Sequence, residues 1–273
     1  MLYLVATPIG NLSDMTFRAI EILKSSDLIL CEDTRHSLHL LKHYDIQKPL
    51  KSFHKFSEAS KEDEIIEKLK NSQIIALISD AGTPGISDPG QRLVKRCRDE
   101  NISVQSIPGA CAAIVALSAS GLNTDRFQFA GFLPKKEREI KTALQEILAY
   151  KGTTICYESP KRLLNILEKI QELSPDREVV IARELTKKFE EIKKAKVSEQ
   201  VTYWSQSEIK GEIVLMISGN EDDQTIDFES LNPEEHVIML QETYSLTKIE
   251  AIKMAATLRG VPKRDIYNQL HHL

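Results

Sequence analysis

The sequence predicts an α/β protein made of two α/β domains and a small helical region at the C-terminal end. Over residues 1–121, short apolar or β-branched runs alternate with amphipathic helical patterns, which is typical of a mostly parallel sheet. Between residues 122 and 220 the predicted strands follow one another more closely, which indicates a second domain with a mixed sheet. The chain of 273 residues is long enough to bury two cores.

The first domain is predicted to contain four strands, at 2–6, 27–31, 74–80 and 102–107. Helical patterns occupy 14–24, 35–43, 61–71 and 89–101, and a helix rich in small residues lies within 108–122 and ends at Gly121. Ser13 is predicted as the N-cap of the first helix. Asp88 is predicted as the N-cap of the fourth, with Pro89 at its first position, where a missing N–H is tolerated.

The second domain is predicted to contain strands at 127–134, 153–159, 179–186, 190–198 and 211–219, with helices near 137–150 and at 160–173. Residues 221–235 carry seven acidic side chains and no basic one, and are predicted to be a linker. Residues 236–273 are predicted to be helical. Within them, two short helices around Gly260 resemble a helix-turn-helix, although a hairpin that only packs on the body or on a second copy is the alternative.

Composition and charge narrow the function classes. The content of 28% charged and 41% hydrophobic residues is typical of a soluble globular protein. With no leader pattern and no apolar run of about 18 residues, we expect a cytoplasmic protein that does not enter the membrane. The cysteines are far apart without a CxxC pair, which favours buried free thiols, and no metal is expected. They are Cys31, Cys97, Cys111 and Cys156.

The net charge of −4 argues on its own against a nucleic-acid partner, but the basic residues are clustered. A protein with an acidic total can still present a basic face to phosphates. The clusters are Lys135, Lys136, Arg138 and Lys141; Lys187, Lys188, Lys193, Lys194 and Lys196; and, near the C-terminal end, Lys248, Lys253, Arg259, Lys263 and Arg264.

The stretch ISDAGTPGISDPGQRLV (78–94) is rich in glycine and proline and joins an apolar strand to a helix. Because a plain connection of this kind needs about two to six residues, the longer and stiffer loop is predicted to surround a ligand. Its glycine spacing does not fit a dinucleotide-binding turn, and Gln91 and Arg92 stand where a P-loop has Lys and Ser or Thr. Asp80 and Asp88 favour a cationic ligand, such as S-adenosylmethionine, over a phosphate. A purely structural turn is the alternative.

Seven motifs occur in an order and spacing that resemble the ribosomal RNA small subunit methyltransferase I family, within the tetrapyrrole (corrin/porphyrin) methylase fold class. They are LYLVATPIGNLSD (2–14), CEDTRHS (31–37), LISDAGTPGISDPG (77–90), IPGACAAIVALSASGL (107–122), FQFAGFLPKK (127–136), CYESPKRL (156–163) and ARELTK (182–187). The resemblance covers about residues 2–220. It implies methyl transfer from S-adenosylmethionine to the ribose 2′-hydroxyl of one cytidine in the decoding region of 16S rRNA.

The resemblance also implies that the cofactor lies in a cleft between the two domains. The contacts that it carries over, motif by motif, are Pro8, Asp80, Gly82, Thr83, Ile86, Cys111, Ala112, Tyr157 and Glu158. The residues agree with this, because small side chains at 109–113 would let a helix N-terminus approach a ligand. For Tyr157 alone, the alternative is a half-buried strand tyrosine.

CEDTRHS is the best candidate for the methyl-acceptor site, because it follows an apolar strand at the end where ligands bind in α/β sheets. Glu32 or Asp33 could take the hydroxyl proton, Arg35 could hold a neighbouring phosphate, and His36 could do either. The alternative is structural, with Asp33 or Thr34 capping the next helix.

Two other functions fit the sequence less well. A small-molecule tetrapyrrole methyltransferase of the same fold would not need the basic clusters. A non-catalytic ribosome-binding protein would not need so closed a loop. We therefore expect an enzyme that acts on 16S rRNA or the small ribosomal subunit, and we expect it to form a homodimer.

Overall fold

The computed structural model describes residues 1–54, 58–220, 231–244 and 246–270. They form two α/β domains followed by a helical unit. Most of the predicted acidic linker, and the last three residues of the predicted helical tail, lie outside the described residues. No helix among the described residues is long and apolar enough to cross a membrane.

The first domain contains a five-stranded, fully parallel sheet, with one strand more than the four predicted. Its order is β3-β2-β4-β1-β5, with β1 at Leu2–Val5, β2 at Leu28–Cys31, β3 at Leu50–Ser52, β4 at Ile75–Leu77 and β5 at Val104–Ile107. Two apolar layers cover its faces; one contains Leu23 and Ile29, the other Phe53 and Ile65. The helices are α1 Phe17–Ser25, α2 Thr34–His43, α3 Glu58–Lys70 and α4 Gln91–Asp99; α5 Ala112–Ser120 comes next in the chain but packs against the sheet of the second domain.

Two predicted N-caps are wrong. Helix α1 is capped by Thr16, whose Oγ1 accepts the Ala19 N–H, while Ser13 lies in a short 3-10 helix. Helix α4 begins after Gly90, which has a φ of 125°, and not at an Asp88 cap. A Cβ at Gly90 would lie 2.6 Å from Cδ2 of Leu77, so the chain turns there in a conformation that only glycine accepts readily.

The second domain contains a mixed sheet of order β6-β7-β10-β8-β9, in which only the β6–β7 pair is parallel. The strands are β6 Phe127–Phe132, β7 Thr153–Glu158, β8 Glu178–Arg183, β9 Glu191–Lys196 and β10 Ile213–Ile217. The helices are α6 Glu137–Ala149, α7 Pro160–Leu173 and α8 Val197–Trp204. The mixed sheet confirms the prediction, whereas β3 and α8 were not predicted.

The C-terminal unit packs three helices around one small apolar cluster. They are α9 Pro233–Tyr244, α10 Lys248–Arg259 and α11 Lys263–Leu270. Thr247 and Glu250 form a capping box at the start of α10, and Gly260, in the left-handed region, ends it. Ala149 at the end of α6 packs against this cluster, so the unit lies against the second domain.

Candidate active site

A cavity of about 430 Å³ lies between the two α/β domains, a size typical of ligand sites. On the side of the first domain it adjoins the carboxyl ends of parallel strands, where ligands bind in α/β folds. Its walls are the glycine-rich loop, the start of α5, the end of β7, and parts of β8 and β10. The residues that carry the argument are Ile9, Asp80, Gly82, Thr83, Ile86, Asp88, Cys111, Ala112, Phe132, Tyr157, Glu158, Glu212 and Val214.

Backbone pairing holds the glycine-rich loop in place. Gly82 and Thr7 exchange two N–H···O bonds of 2.9 and 3.0 Å across an isolated antiparallel bridge. Gly82 has a φ of 81°, which disfavours any side chain there. The Thr83 hydroxyl donates to the Ala110 carbonyl at 3.1 Å, which ties the loop to the segment before α5. Three separate motifs of the sequence thus converge on one rigid wall.

Gly10 lies where the two domains touch. A Cβ at Gly10 would lie 2.5 to 2.9 Å from atoms of Leu185, Thr186 and Lys187 in the second domain. The next residue, Asn11, donates its backbone N–H to Oγ1 of Thr186 at 3.0 Å. The TPIGN and ARELTK motifs therefore meet at the domain junction beside the cavity.

The described charged side chains that line the cavity are all acidic. Among the described residues that line it, four are acidic (Asp80, Asp88, Glu158 and Glu212) and none is basic. Burial, with the charges of Glu32 and Asp80, raises the pKa of Asp88 to about 6, although a hydrogen bond with Ser79 opposes the shift. Burial and the Asp80 charge also raise the pKa of Glu32, against the opposing effect of His54. Glu32, Asp80 and Asp88 therefore form one interacting carboxylate group.

Glu158 ends β7 with a fully buried carboxylate. Its Oε1 accepts the Ser159 N–H at 2.7 Å, whereas Oε2 accepts no hydrogen bond from the described residues. Arg162 Nη2 lies 3.4 Å from Oε2. Burial raises the pKa of Glu158, and the contacts with Ser159 and Arg162 oppose the shift. The carboxylate is therefore held by the start of α7 at the edge of the cavity wall.

The four predicted acceptor-site residues do not line the cavity, but Glu32 and Asp33 lie beside Asp80 in its wall. Asp33 is the N-cap of α2 and accepts the Arg35 N–H, and its Oδ2 lies 2.8 Å from Arg35 Nη2. Hydrogen bonds from Arg35 lower the pKa of Asp33 to about 2. A carboxylate that is capped, paired and weakly basic is a poor base, which favours the structural alternative for Asp33. Arg35 and His36 are exposed, and Glu32 is half-buried near Asp80.

Eight of the nine residues predicted to contact the cofactor line this cavity. The exception is Pro8, which is buried, while its neighbour Ile9 faces the cavity. The Thr7–Gly82 bridge fixes the chain so that Ile9 is presented instead. Asp88 was predicted as a helix cap and as a charge that favours a cationic ligand, but not as a contact or catalytic residue of the site. Its proximity to Glu32 depends on the packing of β2 against β4, which no local pattern reveals.

The sequence model of the tetrapyrrole (corrin/porphyrin) methylase family matches residues 1–200 of this chain. A ribosomal RNA small subunit methyltransferase I of Halalkalibacterium halodurans is 47% identical, with 99% of this chain and 94% of that protein covered. The Bacillus subtilis protein of the same name is 44% identical over the same shares. This chain belongs to the ribosomal RNA small subunit methyltransferase I family.

Membership in this methyltransferase family makes the chain an enzyme. The fold is shared with a uroporphyrin-III C-methyltransferase of Thermus thermophilus in complex with S-adenyl homocysteine. That structure has a TM-score of 0.56 and 16% identity, and the match covers 80% of this chain and 96% of that one. The predicted family and fold class are both confirmed.

The cavity fits the cofactor of such a methyltransferase. Its acidic, base-free lining suits the sulfonium and ammonium charges of S-adenosylmethionine. Apolar side chains such as Ile9 and Val214 offer surface for an adenine ring. Among the described residues, no group of three or more His, Cys, Asp or Glu is placed to hold a metal ion.

Proposed function

We propose that this chain transfers a methyl group from S-adenosylmethionine to the ribose 2′-hydroxyl of a cytidine in the decoding region of 16S rRNA. The observation that carries the proposal is the interdomain cavity, where eight residues of the predicted cofactor site come together with four acidic side chains. The near-full-length similarity to proteins named as rRNA methyltransferases supports the choice of substrate.

Three groups of residues hold the cofactor. Gly82, Thr83 and the start of α5 supply close backbone approach, and Asp80 supplies negative charge. Tyr157 and Glu158 close the site from the second domain, and burial raises the pKa of Tyr157 to about 12, so the phenol stays neutral. When bound, S-adenosylmethionine supplies an electrophilic methyl group.

Asp88 accepts the proton of the ribose hydroxyl. It lines the cavity, and a pKa of about 6 leaves it ionised at neutral pH yet more basic than an ordinary aspartate. Glu32 acts through Asp88, because its nearby charge contributes to the raised pKa. Arg35 and His36, exposed at the start of α2, are placed to contact RNA phosphates beside the acceptor nucleotide.

The C-terminal unit contributes part of the RNA-binding surface. Lys253, Lys263 and Arg264 are exposed on α10 and α11. Arg259 serves the unit internally instead, since its Nε donates to His236 Nδ1 at 2.9 Å and its Nη2 to the Leu231 carbonyl at 2.6 Å. Exposed cationic side chains that contact phosphates determine the affinity for RNA and the salt dependence of that affinity. We also propose that the enzyme works in the cytoplasm and that it forms a homodimer. Light scattering after size exclusion would test the homodimer.

A substrate comparison tests the function. Purified protein is incubated with labelled S-adenosylmethionine and, separately, small ribosomal subunits that lack the modification, naked 16S rRNA, and a tetrapyrrole such as uroporphyrinogen. We expect transfer to one or both RNA substrates and none to the tetrapyrrole. Transfer to the tetrapyrrole alone would replace the proposed substrate, and binding of the cofactor with no transfer at all would contradict the enzymatic role of this cavity.

A further inference from the structure

Phe132 is an exposed aromatic side chain at the rim of the cavity. It lines the cavity although 59% of its surface is exposed. The described residues include three other exposed phenylalanines, Phe17, Phe127 and Phe189, and none of these lines the cavity. A large apolar ring left in water beside a ligand site commonly marks a contact surface.

A β-bulge aims Phe132 at the cavity. Along β6 and β7, Phe129 pairs with Ile155, but Gly131 pairs with Cys156 and Phe132 with Tyr157, so Ala130 is an extra residue. Without it, residue 131 would stand opposite Tyr157, and Phe132 would point to the other face of the sheet. Gly131, with a φ of 65°, accommodates the irregularity. Bulges beside active sites commonly redirect a side chain in this way.

The neighbours of Phe132 hold its ring at the rim. The ring packs edge to face on Tyr157, with centroids 5.7 Å apart, and Phe129 packs on the same tyrosine at 4.9 Å. A Cβ at Gly131 would lie 3.5 Å from the Ser87 hydroxyl, so this part of β6 lies against the loop that carries Asp88. Phe132 therefore stands at the rim of the cavity, against its aromatic wall and near the loop that carries Asp88.

We propose that the ring of Phe132 is the platform on which the base of the acceptor nucleotide stacks. This inference rests on the proposed function and adds the group that positions its substrate. A nucleotide in folded RNA has to leave its stack before its ribose can enter a cavity, and an aromatic side chain can replace the lost stacking. Because every base has a π-face, the contact would orient the nucleotide without selecting cytosine by itself.

Three substitutions at Phe132 separate stacking from mere packing. Phe132→Ala should lower kcat/KM for small subunits by roughly 5- to 150-fold, the range that corresponds to the loss of one base–aromatic stack. Phe132→Leu, which keeps apolar volume but not the π-face, should be impaired like Ala, and Phe132→Trp should restore most of the activity. Phe127→Ala, at the far end of the same strand, is the control and should behave as wild type.

Calorimetry with S-adenosylmethionine accompanies the kinetics, and we expect an unchanged Kd in all four variants. Wild-type kinetics in Phe132→Ala, full activity in Phe132→Leu, or a loss of cofactor affinity that matches the loss of activity would each overturn the inference. An absence of transfer by the wild-type enzyme itself would contradict the proposed function, whereas active wild type with indifferent Phe132 variants would contradict the stacking role alone.

Discussion

The backbone N–H of Asp33 donates a 3.2 Å hydrogen bond to Oδ1 of Asp80. This bond joins the end of β2, which carries the CEDTRHS motif, to the glycine-rich loop after β4. Asp80 also raises the pKa values of Glu32 and Asp88 through its charge. The proposed acceptor and cofactor halves of the site are therefore linked both mechanically and electrostatically.

The first prediction concerns Asp88 as the proton acceptor. Asp88→Asn should lower kcat by about 100-fold or more, the usual contribution of a general base, with a much smaller effect on cofactor affinity. Because the ionised carboxylate is the active form, wild-type kcat/KM should rise with pH through an apparent pKa near 6 and level off above it. Asp99→Asn, at an exposed aspartate of α4, is the control. A pH profile without this ionisation would remove Asp88 from the mechanism.

Asp88 also makes a prediction about stability. Its folded-state pKa lies above the ordinary value of about 3.9, so the folded protein binds the proton more tightly than the unfolded chain does. Its contribution to stability is present below pH 4 and is lost as the pH rises through about 6. Asp88→Asn should therefore increase the free energy of unfolding at pH 8 by at most roughly 3 kcal/mol, and so raise Tm there. At pH 4 the substitution should change Tm little. Thermal unfolding at both pH values measures the difference, and an equal effect at both would contradict it.

Asp33 is predicted to act as a helix cap and not as a base. Asp33→Asn should retain transfer activity within about threefold of wild type, because asparagine caps a helix as well as aspartate does. Asp33→Ala should lower Tm, since the N–H of Arg35 loses its acceptor. Steady-state kinetics and thermal unfolding of the two variants provide the test. A complete loss of activity in Asp33→Asn at normal Tm would restore Asp33 as a catalytic candidate.

The glycine-rich loop can be tested with a matched pair of glycines. Gly82 and Gly121 both have positive φ, but only Gly82 lies in the cavity wall. Valine at either position is strained by a similar amount, roughly 1–2 kcal/mol. Gly82→Val should abolish cofactor binding in calorimetry, whereas Gly121→Val should bind normally. Equal affinities in the two variants would separate the loop from the cofactor.

The RNA-binding surface is tested by charge reversal in the C-terminal unit. Glutamate at Lys253, Lys263 and Arg264 should weaken RNA binding and reduce its salt slope by about one unit for each phosphate contact that is lost. Cofactor affinity should not change. Glutamate at the exposed Arg18, Lys24 and Lys95 of the first domain changes the net charge equally and serves as control. An unchanged slope in the first variant would identify the unit as a packing element.

Local sequence patterns predicted helix boundaries correctly where the sequence contains strong start and stop signals. Helix α7 begins at Pro160 after Ser159, and α5 ends at Gly121, both as predicted. Strand β3 was missed because it has only three residues, and α8 because its valine and aromatic residues favour a strand. The cap of α4 was mispredicted because Gly90 is needed for close approach to Leu77, a contact between segments distant in sequence.

Some features of the candidate site could likewise be predicted from local sequence patterns, whereas others could not. Contiguous motifs revealed the walls of the cavity, because glycine and proline spacing reports local backbone geometry. The interaction of Glu32 with Asp88 and the aim of Phe132 depend instead on strand order and on one bulge between β6 and β7. Such features arise from tertiary pairing and leave no local signal.

The most direct test of the proposed reaction is the chemical position of the transferred methyl group. Small subunits lacking the modification are incubated with methyl-labelled S-adenosylmethionine and wild-type enzyme, and their rRNA is hydrolysed with alkali. A 2′-O-methyl group blocks cleavage of the adjacent phosphodiester, so we expect the label in a single alkali-resistant dinucleotide that begins with cytidine. Label in mononucleotides, which would indicate a methylated base, or no label in the rRNA, would contradict the account.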